Sequence, residues 1–490
     1  MINKNIFFSA LLIFSVNSML AESIVIKNAT IYNGLDDNPF TGNILIEDGL
    51  IKKVSKSLLQ GSKVIDANGK IVTPGFIAAG TEIGIVEIGS LSVTRDDESN
   101  IYSIGFSIHD AFNPNSTLIP WNRSNGITSA ITLPRNTSSP IGGLGSFFVL
   151  DSNLDINSKE DMAMIGRIGG SGSSSRSEML LLTDDILSFA SSISAKDMRT
   201  TSDIDSLIDS SSLADYLELK PRDIKALYKL VNENLPLIIK SNRASDILKL
   251  ILLKEKYNLN LVIMGAQEAS LVSKQIADSK IPLVVNPINN IPNSFDELAA
   301  NKNLSSRLEE AGVLMMFNYG GHNSHLMRQG AGIAVANGMS YGGAIRALTS
   351  NVASSFNIED RGSISPGKAA DLVIWEADPL EPSSMPEKVF INGIDMDLTT
   401  RSTRLRDRYT KNLDKPNTYR NQVIGAGTKS RTRDLLITNQ LLYQLSYTGK
   451  KKHYIQINRL GKNNLFHQDR NSHLDFLQDI ADGILRQENT

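Results

Sequence analysis

Two histidines three residues apart, His322 and His325 in "NYGGHNSH", follow an apolar run. On one helical face that spacing can hold a metal ion. Alternatively, His322 bonds a ligand or caps the loop while His325 packs on the following helix. Glu82, beyond an apolar run that opens at Gly75, and Lys240, at the end of "LPLIIK", offer a carboxylate and an ammonium at the ends of different strands. Such a pair either holds itself charged across a pocket, with shifted pKa values, or moves a proton on and off a substrate. Glu82, Lys240 and His322 are therefore the candidate catalytic residues. Glu87 and the run "TRDD", with Arg95 and Asp96, follow Glu82 and read as rim residues that touch a substrate, or as a solvated loop. His109 beside Asp110 is an imidazole that a carboxylate can orient, and His109 and His325 complete the substrate-binding candidates.

Composition removes several chemistries. The chain of 490 residues has no cysteine, which excludes disulfides, thiolate-bound zinc, a thiol nucleophile and a lipid-modified cysteine. Of its six histidines, His453, His467 and His473 lie near the C-terminus, leaving three for any metal site in the body. Residues 362–369, "GSISPGKA", imitate a phosphate loop, but Ala369 removes the magnesium-binding hydroxyl and a strand pattern follows where a helix should begin. A nucleophile-elbow serine is not expected. The net charge of −2 combines a mildly acidic body with a basic end, where residues 422–490 hold ten Lys and Arg against six Asp and Glu. Nothing in the body forms a nucleic-acid surface.

Several elements must position these residues. Residues 1–23 place Lys4 ahead of an apolar run, with Ala21 and Ser23 beyond it. They read as a secretory signal peptide or a membrane anchor, the run being short for a span. Signal cleavage implies a periplasmic protein with no membrane contact thereafter. Strand patterns at 23–32, 42–55 and 63–75, with hairpin signals at Asp48-Gly49 and Asn68-Gly69, predict a small antiparallel unit. From about 73 to 361, strand runs alternate with helical stretches such as 244–257 and 268–279, the rhythm of a βα barrel. Ser-rich spans at 169–177 and 189–212 predict a mobile loop with a short helix inside, as a lid or as a solvated insertion. Strand patterns return at 369–379 and 388–397, with a turn at Asn392-Gly393. The expected organisation is a composite β-domain from 24–73 and 363–398, a barrel at 74–362, an extension at 399–421 and a separate tail at 422–490.

The stretches "VTPGFIAAGTEIG" (72–84) and "AIRALTSNVASSFNIEDRGSISPGKAADLVIWEADPLE" (344–381) resemble the amidohydrolase superfamily, in its imidazolonepropionase-like branch. The resemblance covers about 24–420. It implies an α/β fold: a distorted TIM-type (β/α)8 barrel plus a small composite β-sandwich. It also implies metal-dependent hydrolysis of non-peptide C–N bonds in amides, cyclic amides or dipeptide-like substrates. That chemistry uses water on one or two divalent metals, held by His and carboxylates at the C-terminal mouth of the barrel. Carried onto this chain, the paired first-strand histidine positions fall on Gly80 and Glu82, and the aspartate before them on Ala78. The later histidines fall on Lys240 and near Gly265, and the last aspartate near Gly320 and Gly321. The expected metal ligands are therefore none, and no cofactor is expected, with zinc only if Glu82, His109, His322 and His325 form a rearranged site.

The segment 425–449, "GAGTKSRTRDLLITNQLLYQLSYTG", is similar to a peptide translated from the complementary strand of a tRNA gene. It reads as a non-native read-through tail or as a basic arm for a partner or membrane. The expected function is thus an amidohydrolase-fold protein that has lost its metal centre. It binds a small-molecule ligand at the barrel mouth or serves as a partner subunit, in an oligomer with itself or with an active relative. The alternative is an active hydrolase with a remodelled site.

Overall fold

The computed structural model describes residues 23–135, 140–170, 175–321 and 323–411. The leader up to residue 22, the segment 425–449 and His322 lie outside the described residues.

Five strands open the chain: β1 (Ile24–Ile31), β2 (Phe40–Glu47), β3 (Leu50–Ser55), β4 (Lys63–Asp66) and β5 (Ile71–Pro74). Asp48-Gly49 makes the expected β2–β3 hairpin, with Glu47 opposite Leu50. Asn68-Gly69 turns the chain but makes no hairpin, because β4 and β5 both run parallel to β1. β1 is bulged near Asn28. β4 pairs ahead of the bulge and β5 beyond it, while the Gly69 N–H donates to the Asn28 carbonyl. The unit is a mixed sheet, not the antiparallel one expected.

Eight further strands form the barrel: β6 (Phe76–Thr81), β7 (Ile127–Thr132), β8 (Ile141–Val149), β9 (Ser158–Arg167), β10 (Leu237–Ser241), β11 (Leu261–Gly265), β12 (Leu283–Val285) and β13 (Met315–Phe317). Neighbours follow chain order, and β6, β7 and β8 are buried along their whole length, as strands covered on both faces should be. All neighbours are parallel except that β8 runs antiparallel to both β7 and β9. The βα rhythm breaks there because the links after Thr132 and after Val149 are too short for a helical crossover, which needs about a dozen residues. β6 and β13 meet through side chains and loops: Asn318 Nδ2 donates to the carbonyls of Ala79 (2.7 Å) and Gly80 (2.8 Å), and Thr81 Oγ1 donates to the Gly321 carbonyl at 2.7 Å.

Residues 171–174 of the first Ser-rich span lie outside the described residues; around the second, helices run Arg176–Ser192, Thr201–Ser210, Ser212–Tyr216 and Pro221–Asn232, more helix than the one short element expected, with a non-helical link at 193–200. Serine and threonine act here as caps. Ser175 accepts from the Glu178 N–H, and Thr200 with Asp203 forms a reciprocal capping box. Met179, Ile186, Leu187 and Ala190 bury one face of the first helix.

Three strands close the body: β14 (Leu372–Trp375), β15 (Pro386–Ile391) and β16 (Ile394–Asp395), the last two joined at Asn392-Gly393. β14 pairs antiparallel with β5, Leu372 opposite Pro74, so the returning chain braces the residues just ahead of β6. The compact unit ends at Arg406, and of the second unit only residues 407–411 are described.

Candidate functional site

Residues paired in register on parallel strands point to the same side of a sheet. Arg167 on β9 pairs with Lys240 on β10, and Lys240 pairs with Met264 on β11. Two cations and a thioether therefore stand side by side at the C-terminal ends of three barrel strands. With Ser241, Asn242 and Asp296 they line a cavity of about 340 Å³. Asp296 is already committed: it pairs with Arg176 and with Arg243 (3.1 Å) and accepts the Gly170 N–H at 2.9 Å.

Lys240 has no direct ion-pair partner among the described residues, and Glu82 acts on it only through space. Its side chain is open to solvent, yet the surrounding wall crowds water from the ammonium. That crowding is the main cause of a pKa below the usual lysine value. Glu82 opposes the shift, Arg167 and Arg135 add to it, and Asp97 opposes it. Followed by NMR after ¹³C-methylation, Lys240 is expected to titrate below the usual lysine value, and Arg167→Met to raise its pKa. The unfolded chain binds the proton more readily, so stability should rise with pH between the folded value and 10.5. Titration of Lys240 at or above 10.5 would overturn this electrostatic picture.

The cation that Glu82 touches is Arg95, at 3.5 Å, and not Lys240. Arg95 in turn grips the fully buried Asp97 with two bonds, one of them Nε to Oδ1 at 3.1 Å. Glu82, Lys240 and Arg95 are thus brought to one mouth, whereas Asp96, Glu87, His109 and His325 are not. Asp96 is exposed and contributes only its backbone, whose N–H donates to the Ile85 carbonyl. Glu87 accepts from Thr117 Oγ1 at 3.2 Å, in an exposed hydrogen bond away from the residues that line the cavity. His109 bonds Ser158 through Nε2 at 2.8 Å and stacks on Phe148, at the opposite end of β9 from Arg167 and about 30 Å along the strand. His325 Nδ1 accepts from Trp121 Nε1 at 3.1 Å, and its N–H donates to Asn122 Oδ1, facing the helix Leu118–Arg123. Glu82, His109 and His325 therefore do not form a rearranged metal site.

Arg167 and Arg135 went unrecognised in the sequence, and Asp97 was read only as part of the rim run "TRDD". The apolar run "MAMIGRI" (162–168), ending in a charge, was the available signal for Arg167, masked by the polar "SKED" that opens β9. The residue that reaches inward just past β13 is Asn318, not Gly320 or Gly321. Residues 338–342 do spell G-x-S-x-G, but they follow a helix, not a strand. Ser340 there is a helix cap, accepting from the Gly343 N–H and donating to Glu309 Oε1.

At Gly80, φ is +86° and a Cβ would meet Met264 Cε at 2.4 Å; at Gly265, φ is +97° and a Cβ would meet Asn242 Oδ1 at 2.3 Å. The left-handed backbone strains any side chain at these two positions, and the neighbouring side-chain ends would have to shift to admit one.

Residues 244–394 match the model described as Amidohydrolase family. The match spans 151 of the 490 residues, and over that stretch the chain is similar to the family. Its fold is similar to that of a solved amidohydrolase from Thermotoga maritima, with a TM-score of 0.65 and 25% identity over 76% of this chain and 99% of that one. A dihydropyrimidinase from Dictyostelium discoideum is 40% identical over 77 residues, 15% of each chain. A dihydroorotase from Caldicellulosiruptor saccharolyticus is 45% identical over 56 residues, 11% of this chain and 13% of that one. The matched segments thus span only 15% and 13% of those curated relatives.

The amidohydrolase fold implies a divalent metal at this mouth, and the described donors do not fit one. Asp97 is committed to Arg95, Asp296 to two arginines, and Glu82 faces Arg95. Lys240 and Arg167 set positive charge where a cation would have to bind. Among the described residues, no three His, Asp or Glu converge.

Proposed function

We propose that this amidohydrolase-fold chain binds a small molecule at its barrel mouth without the metal-activated water on which hydrolysis of C–N bonds relies. The observation that carries the reading is the inward pairing of Arg167 with Lys240 beside Met264 around a left-handed Gly80. An ammonium and a guanidinium in one layer repel a divalent ion and attract a polar ligand. Lys4 and the apolar run after it support a periplasmic setting, where the chain acts alone or beside an active relative.

The purified full chain is expected to contain no stoichiometric zinc and to leave cyclic amides and dipeptides intact. Metal analysis and a turnover screen check both. One zinc per chain, with turnover abolished by Glu82→Ala, would replace this reading with a remodelled hydrolytic centre around Glu82, Lys240 and His322.

A further inference from the structure

We infer that the ligand of this mouth is a small organic carboxylate, its anionic group between Lys240 and Arg167 and its apolar body against Met264. The inference rests on the proposed ligand-binding reading and adds the ligand's chemical class. It begins from the carboxylates around the cavity, each of which already has a cation or donor. Asp296 is held by Arg176 and Arg243, Asp246 by Arg176, and Asp97 by Arg95. Glu297 accepts from Asn242 Nδ2 at 2.7 Å and from the Asn293 N–H. Glu82, which reaches Arg95, does not contact Lys240. The Lys240 ammonium thus faces the cavity with no protein carboxylate against it among the described residues, and the Arg167 guanidinium, whose Nη2 donates to the Gly169 carbonyl at 3.2 Å, stands beside it in register.

A planar guanidinium matches a carboxylate in two parallel bonds, and an ammonium adds a point charge. Phosphate is served less well, because it favours free backbone N–H groups at helix starts and nests. Here two of those groups are taken: the Gly170 N–H by Asp296 and the Ala244 N–H, at the start of the helix Ala244–Tyr257, by Glu268. The cavity volume of about 340 Å³ suits a small metabolite. Met264 and Ile168 give the rest of that molecule an apolar wall.

Calorimetric titration of the full chain with N-acetyl-L-leucine and with pyroglutamate, each beside its primary amide, tests the inference. Each carboxylate is expected to bind saturably and at least about tenfold more tightly than its amide, the scale of one charge-assisted hydrogen bond. Inorganic phosphate should not compete. Lys240→Met and Arg167→Met, checked for unchanged melting, should each remove most of that preference, and Lys240→Arg should keep it. Equal binding of acid and amide, or no binding of either acid, would overturn the carboxylate assignment. The metal-free reading fails separately, by stoichiometric zinc with turnover. The acid-over-amide preference of the unmodified chain decides the matter even if a variant fails to fold.

Discussion

Trp375→Ala is expected to cost the folded chain about 3–5 kcal/mol, the range for deleting a large aromatic from a packed core. The indole is fully buried and stacks on Phe76 with ring centroids 5.3 Å apart. On another side it meets the Arg328 guanidinium at 5.3 Å, and its Nε1–H donates to Thr73 Oγ1 at 2.9 Å. These partners belong to different layers: Phe76 opens the first barrel strand, Thr73 lies in β5 of the mixed sheet, and Trp375 ends β14. Truncation would leave a cavity at that joint and deprive Thr73 of its donor, so the loss combines burial, packing and one hydrogen bond. Urea denaturation should show a lower midpoint with an unchanged slope, the mark of lost stability without a changed unfolded state. Trp375→Phe keeps a ring and loses the N–H, so its cost should fall well below that of alanine. A loss under about 1 kcal/mol for Trp375→Ala, ordinary for substitutions in general, would mean that the joint is held elsewhere.

Asp371→Ala should lower stability by about 3 kcal/mol, at the low end of the range for breaking a buried ion pair from one side. Arg361 and Asp371 are 3% and 4% exposed and meet at 2.7 Å. The second Asp371 oxygen accepts the Asn392 N–H at 2.8 Å, at the turn between β15 and β16. Without Asp371, Arg361 keeps Asp360 at 2.7 Å, but that carboxylate is half exposed. The remaining contact is why the low end applies. Arg361→Met combined with Asp371→Leu should recover most of the loss, because replacing both charges removes the desolvation that the pair itself suffers. Thermal or urea unfolding of the two single variants and the double variant measures this directly. A double variant no more stable than Asp371→Ala would show that the charges, and not their mutual compensation, are needed.

Local pattern made much of this fold legible. Long apolar runs at 76–81, 127–132, 261–265 and 283–285 were readable as buried strands, since the side chains of a doubly covered strand are apolar regardless of what lies beside them. The Asp48-Gly49 and Asn392-Gly393 turns were readable for a similar reason, their backbone being set by two residues. Asn68-Gly69 shows the limit. The same dipeptide chemistry bends the chain, but the partner of each flanking strand is β1, which only the assembled sheet supplies. Serines between 175 and 212 gave a loop-like composition, yet caps and a buried apolar face make helices of most of that span.

The site divides the same way. That Glu82 and Lys240 stand at strand ends, and that no thiol chemistry is possible, was determined by the sequence alone, because residue type and strand termination are local properties. Tertiary structure alone decided that Asp97 and not Asp96 turns inward, that His109 meets Ser158, and that His325 meets Trp121. It also decided that Arg167, far from Lys240 in the chain, shares its layer. A side chain's neighbours across a barrel follow from strand register and closure, which join segments a hundred residues or more apart in cases such as Thr81 with Gly321. No local pattern carries that information.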